Sequence, residues 1–145
     1  MDPKTISKDN CQNLRVIIVD DSIMMRNILM SYLRDYGIKE IKYAQDGESA
    51  LREISEARGL GMPFDIVFLD WNMPGATGYD VLTKCRGDKS NDNTAIVMVT
   101  AENKQRNVLE AIKAGATAYM IKPISKTELD SKFPQVLNWI TKNSR

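Results

Sequence analysis

The chain has no histidine. That removes Cys/His zinc sites and histidine general bases from consideration. Its two cysteines, Cys11 in a polar stretch and Cys85 on an apolar helix face, are too few for a disulfide framework. No apolar run approaches the roughly 18–20 residues that a membrane span needs. The stretch from Met1 to Cys11 lacks the apolar core of a signal peptide. An excess of one charge is missing too: 20 Lys and Arg against 19 Asp and Glu leave a formal net charge of +1. Nucleic-acid-binding modules usually show a basic excess, so nucleic acid is not expected as the main ligand. Linkers, internal repeats and low-complexity segments are also absent. The expectation is a cytoplasmic domain that meets neither membrane nor nucleic acid, and 145 residues suffice to bury a core. A polar tail at 1–13 precedes a folded region at 14–142, and 143–145 form a short C-terminal tail.

What the chain does have is alternation. An apolar strand at 14–19 is followed by Ser22, a helix N-cap, and by Met25, Ile28, Leu29, Tyr32, Leu33 and Tyr36 at helical spacing. Gly37 suits the left-handed position that ends that helix. A short strand at Ile41–Ala44 leads through Asp46 and Gly47 to a helix with Ala50, Leu51 and Ile54 inward. Gly59, Gly61 and Pro63 form the next loop. A third strand near 65–69 passes through Asn72–Gly75 to a helix burying Val81, Leu82 and Cys85. The polar stretch 87–93 is a loop. A fourth strand ends at Thr100, and a helix over about 102–114 buries Val108, Ala111 and Ile112 before Gly115. A fifth strand at 117–121 precedes a capping box of Ser125 and Glu128. The last helix turns Leu129, Phe133, Val136, Leu137 and Ile140 inward. Pro134 lies inside that helix and is expected to kink or split it near Lys132–Phe133, with Pro134 restarting it. Five apolar, β-branched strands alternating with five helices predict an α/β fold, a doubly wound parallel sheet covered on both faces. Ligands of such sheets bind outside the carboxyl ends of the strands.

Polar residues stand at those ends. Asp20 and Asp21 close the first strand, Asp70 the third, Thr100 the fourth and Lys122 the fifth. Taken singly, each has a bland reading: a helix cap, a strand-end hydroxyl, a loop lysine. Together they place three carboxylates, a hydroxyl and an ammonium at one edge. Carboxylates that crowd repel one another unless a cation sits among them. Hard oxygen donors of this kind suit Mg²⁺. Asp70 can act as a nucleophile and take a phosphoryl group as an aspartyl phosphate. Lys122 supplies a point charge for a phosphoryl oxygen, and Thr100 a hydrogen bond. Adding about −2 charge units beside a mobile hydroxyl and a lysine shifts the balance between two packings of helix four, strand five and helix five.

Asp20–Arg26, Asp70–Pro74, Thr100–Glu102 and Lys122–Pro123 resemble the corresponding motifs of response-regulator receiver domains of two-component signalling, in the same order and over about residues 14–142. The resemblance implies a flavodoxin-like strand order 2-1-3-4-5. It implies that Asp70 is phosphorylated from a phosphohistidine on a sensor histidine kinase. Asp20, Asp21, Asp70 and the backbone carbonyl of Asn72 would hold Mg²⁺, with Thr100 and Lys122 contacting the phosphoryl group. Tyr119 matches an aromatic switch position, and Asn72 and Glu102 would tune the lifetime of the phosphorylated state.

The single-domain chemotaxis regulators of that family are the nearest resemblance. They imply a monomer that binds the flagellar motor switch through helix 4–strand 5–helix 5, a phosphatase as a further partner, and no catalysis beyond its own phosphorylation and dephosphorylation. A phosphorelay intermediate, passing the group to a histidine phosphotransfer protein, shares the same site residues. An aspartate-nucleophile phosphatase fits less well, since Asn72 stands where such hydrolases carry a second Asp and no residues remain for a substrate cap.

Overall fold

The computed structural model describes residues 11–143. The expected polar tail therefore falls outside the described residues up to position 10, as do positions 144 and 145. In chain order the elements are β1 (Arg15–Val19), α1 (Ile23–Asp35), β2 (Glu40–Ala44), α2 (Gly47–Gly59), β3 (Ile66–Leu69), α3 (Gly78–Arg86), β4 (Ala95–Thr100), α4 (Gln105–Lys113), β5 (Ala118–Ile121) and α5 (Lys126–Asn143). A 3₁₀ turn at Lys89–Asn91 interrupts the polar stretch before β4.

All strand pairings are parallel, in the order β2-β1-β3-β4-β5. Successive strand residues point to opposite faces, and here both faces are covered. Ile17, Val19, Val67, Leu69, Ile96 and Met98 pack in one cluster with Ala50 and Ile54 of α2, Val81 and Leu82 of α3 and Ala111 of α4. Val16, Ile18, Ile66, Phe68, Val97 and Val99 pack in the other with Leu29 and Leu33 of α1 and Leu129 and Phe133 of α5. This is why the strands read as unbroken apolar runs rather than alternating ones. Among the described residues no helix is long and apolar enough to cross a membrane.

Local chemistry sets the helix ends. Ser22 Oγ accepts from Met25 N at 3.2 Å, and Gly37 follows the Tyr36 cap with φ of 90°. Asp46 caps α2 through Ser49 N at 2.7 Å. Thr77 and Asp80 form a reciprocal capping box at α3 that the sequence reading did not identify. At α5, Ser125 Oγ accepts from Glu128 N at 3.0 Å, while the Glu128 carboxylate lies 3.7 Å from Lys132 Nζ one turn on.

Four expectations need correction. Cys11, assigned to the tail, is fully buried in the α1–α5 core, so the folded region begins before residue 14. α4 begins at Gln105 rather than 102, because residues 101–104 form the connection that joins Thr100 to Tyr119. Ile112 is 46% exposed rather than inward, since only Ala111 and half-buried Val108 face the core. And α5 is one helix through Pro134. The proline removes one backbone bond, but packing pins the helix on both sides of it. Fully buried Phe133 stacks on Tyr36 with centroids 4.7 Å apart, the Tyr36 hydroxyl donates to Asp130, and Leu129 and Val136 are buried. An internal proline costs about 3 kcal/mol, which burial of one large aromatic side chain offsets on the same scale, about 1.5–3 kcal/mol.

Candidate functional site

The carboxyl end of β1 delivers Asp20 and Asp21, and the sheet fixes them. Asp20 N donates to Ala44 O at 3.0 Å, extending the β1–β2 pairing by one residue. The residue is 4% exposed. Oδ1 accepts from Ser22 N at 2.9 Å, and Oδ2 lies 2.6 Å from Lys122 Nζ. Asp70 is held in the same way one strand over: its N donates to Val19 O at 3.0 Å, Oδ1 accepts from Asn72 N at 3.3 Å, and Oδ2 lies 3.0 Å from the same lysine. Asp21 is exposed, yet one oxygen each of Asp20, Asp21 and Asp70 lie within 4.8 Å of one another.

Lys122 therefore bridges two buried carboxylates from the end of β5. Burial pulls its pKa down, but the hydrogen bonds and charges of Asp20 and Asp70 outweigh that and raise it above the ordinary lysine value. The donor set fits a hard divalent cation: carboxylate oxygens from two adjacent strands, with Asp21 on the solvent side where bound waters can remain.

Thr100 is fully buried at the end of β4. Its Oγ1 accepts from Glu102 N at 3.2 Å, and Glu102 O accepts from the Tyr119 hydroxyl at 2.7 Å. The two residues expected to act as a switch are thus joined through the peptide groups of Glu102. Tyr119 is 8% exposed, and burial together with the Glu102 and Asp70 charges pushes its hydroxyl up to about 12. The Glu102 carboxylate takes hydrogen bonds from Asn107 and from Lys104 N, which hold its pKa down, so it anchors the start of α4. Asn72 is exposed and meets Asp70 through its backbone N.

Sequence reasoning missed two supporting residues. Arg26 is 8% exposed; its NH1 donates to Asp20 O at 2.7 Å and its guanidinium lies 4.7 Å from the Tyr43 ring centroid. Its position one turn inside α1 carried the signal, because helical side chains lean toward the N-terminus. Lys132 Nζ donates to Tyr119 O at 2.7 Å, tying α5 to β5, and no local pattern marks it.

The response regulator receiver domain family matches residues 16–133. The chain is 36% identical over 125 residues to the chemotaxis protein CheY-3 of Vibrio cholerae, covering 86% of this chain and 92% of that one. The crystal structure of V. cholerae CheY4 superposes with a TM-score of 0.74 at 32% identity, covering 85% of this chain and 98% of that one. A CheX–CheY complex with BeF₃ and Mg²⁺ from Borrelia burgdorferi gives 0.77 at 26% identity, covering 95% and 97%. The family match runs from the second residue of β1 into α5 and takes in every strand-end residue described above: the chain belongs to the response regulator receiver domain family, among relatives that are CheY-type chemotaxis regulators.

Proposed function

We propose that this protein is a phosphorylation-controlled signalling switch of chemotaxis, with Asp70 as the phosphoacceptor. The observation that carries the reading is the single ammonium of Lys122 shared between two buried carboxylates beside a third. That arrangement concentrates charge where a phosphoryl group arrives. A sensor histidine kinase is the donor in this reading. A carboxylate oxygen of Asp70 attacks phosphorus, the phosphorus–nitrogen bond of the phosphohistidine breaks, and its electron pair returns to the imidazole. Asp20, Asp21, Asp70 and the Asn72 carbonyl would hold Mg²⁺, which when bound neutralises charge in the loose transition state. Lys122 gives up Asp70 Oδ2 for a phosphoryl oxygen. Thr100 turns its buried hydroxyl to another, which releases Glu102 N and, through Glu102, loosens Tyr119.

The output surface in this reading is α4, β5 and α5, where Leu109 and Ile112 are exposed at 51% and 46%. The target is the flagellar motor switch. The Borrelia CheY forms a complex with CheX, which supports a second partner, such as a phosphatase, at the phosphorylated state. Such a regulator is fed by a kinase in the cytoplasm and acts on no substrate but its own phosphoryl group.

The test has two parts. Acetyl phosphate with Mg²⁺ should phosphorylate the protein, and Asp70→Asn should take up nothing; uptake by Asp70→Asn at the wild-type rate would overturn the assignment. Beryllofluoride-treated protein should then capture a flagellar switch protein from lysate that untreated protein leaves behind. Capture of a histidine phosphotransfer protein instead would make this a relay carrier.

A further inference from the structure

The loop after Asp70 returns to α3 through Gly75–Gly78, and the first residue of that helix sits against the acceptor's own backbone. A Cβ built on Gly78 would lie 2.0 Å from Asp70 O and 2.8 Å from Trp71 Cα. No side chain fits there. The constraint is one of space, because Gly78 is not among the residues with positive φ. Gly78 N also donates to Trp71 O at 2.8 Å, so the same residue that leaves room for the Asp70 carbonyl bonds the next one. The adjoining side chains repeat the contact: the rings of Trp71 and Tyr79 stack with centroids 5.2 Å apart and planes 28° from parallel. The far end of the loop is seated too, with the Glu48 carboxylate accepting from Ala76 N at 3.3 Å.

We propose that Gly78 and Tyr79 are positioning residues for phosphoryl acceptance: they clamp the Asp70–Trp71 peptide by backbone contact and ring stacking, and so aim the Asp70 carboxylate. The proposal rests on Asp70 being the acceptor. Lys122 and Asn72 N hold the carboxylate oxygens, but neither fixes the main chain that carries them. The sheet bond from Asp70 N to Val19 O fixes that chain on its N-terminal side. The α3 seat fixes the other side. A displacement of about 1 Å at a reacting group costs on the order of a hundredfold in rate, and an alanine at 78 cannot be accommodated with less.

The test compares phosphorylation by acetyl phosphate, followed by intact-mass spectrometry, per folded molecule and at saturating Mg²⁺. Gly78→Ala should fall about a hundredfold, with its Mg²⁺ half-saturation also shifted upward. Gly59→Ala, whose Cβ meets nothing within 4 Å, should keep the wild-type rate. Tyr79→Ser should lose about two- to tenfold, the equivalent of one aromatic pair, and Tyr79→Phe should restore it. A folded Gly78→Ala with wild-type rate and Mg²⁺ dependence overturns the proposal, even if its melting temperature drops. Should Gly78→Ala not fold, the Tyr79 pair decides, and equal rates for Tyr79→Ser and Tyr79→Phe overturn it. Failure of the wild type to take up phosphate, or uptake by Asp70→Asn, sinks the acceptor assignment instead.

Discussion

Lys122 is the residue on which the electrostatics of the site turn. Its ammonium occupies the space between Asp20 and Asp70 at 2.6 and 3.0 Å, so it competes with a cation for the same oxygens. Replacing it by methionine should therefore tighten Mg²⁺ binding, by at least about threefold given Coulomb energies of a few kcal/mol at this range. Isothermal titration calorimetry checks this, and weaker binding in Lys122→Met would mean that the lysine organises the carboxylates more than it opposes the ion. A second residue-scale prediction concerns Tyr119. Its hydroxyl is raised from 10.0 to about 12, so the folded state favours the protonated phenol. The corresponding stability is complete below about pH 10 and is lost as pH rises towards 12. Ultraviolet titration should show a phenolate step near that upper value which Tyr119→Phe lacks. A wild-type curve with every accessible tyrosine ionising near the ordinary value would show that Tyr119 is not enclosed beneath the loop after β4.

At the scale of elements, α5 sets a local rule against a tertiary one. Pro134 breaks the backbone ladder of the helix, and Phe133 beside it is fully buried against Tyr36. If packing holds the helix together across the missing bond, removing the proline should release a cost that packing now offsets. Pro134→Ala is expected to stabilise the protein by about 1–3 kcal/mol, measured by urea unfolding with an unchanged denaturant slope. Phe133→Ala should cost about 3–5 kcal/mol. A Pro134→Ala protein no more stable than wild type would mean that the helix is already relaxed around the proline. The contrast also shows what was legible in this element. Its inward residues followed from spacing, and Leu129, Phe133 and Val136 are buried as that spacing required. Its continuity did not, because the stacking partner Tyr36 lies far away in sequence at the end of α1. α4 failed in the complementary way. The stripe Val108–Ile112 marks an apolar face, but periodicity does not say how much of it the sheet covers, and Ile112 is left outside.

For the whole molecule, the parallel sheet and its polar strand ends were legible because burial on both faces makes each strand an uninterrupted apolar run, and the run stops where the site begins. Asp20, Asp70, Thr100 and Lys122 all sit at such stops; the Lys122 ammonium meets Asp20 and Asp70, and Thr100 is their neighbour through its backbone bond to Lys122 N. The seat of Gly78 against Asp70 was not legible, since a missing Cβ has meaning only once the facing backbone is known. Neither was the bond from Lys132 to Tyr119 O, which joins α5 to β5, the strand that carries the proposed switch residue. Lys122 joins Asp70 to the end of β5, Glu102 joins Thr100 to Tyr119, and Lys132 joins β5 to α5, so bonded contacts run from the carboxylate cluster to the α4–β5–α5 side. A connection of that kind acts in both directions, because coupling between two binding events is reciprocal. If a target protein binds the beryllofluoride-activated form about tenfold more tightly than the free form, it must raise the protein's affinity for beryllofluoride by the same factor, about 1.4 kcal/mol. Titrating beryllofluoride with and without saturating target measures it. Ile112→Ser should weaken target binding while leaving the beryllofluoride affinity of the free protein unchanged, because its side chain is exposed and outside the carboxylate cluster. Target binding that discriminates between the two forms with no matching change in beryllofluoride affinity is forbidden by linkage. Equal target affinity for the two forms would place the output of this protein elsewhere than α4–β5–α5.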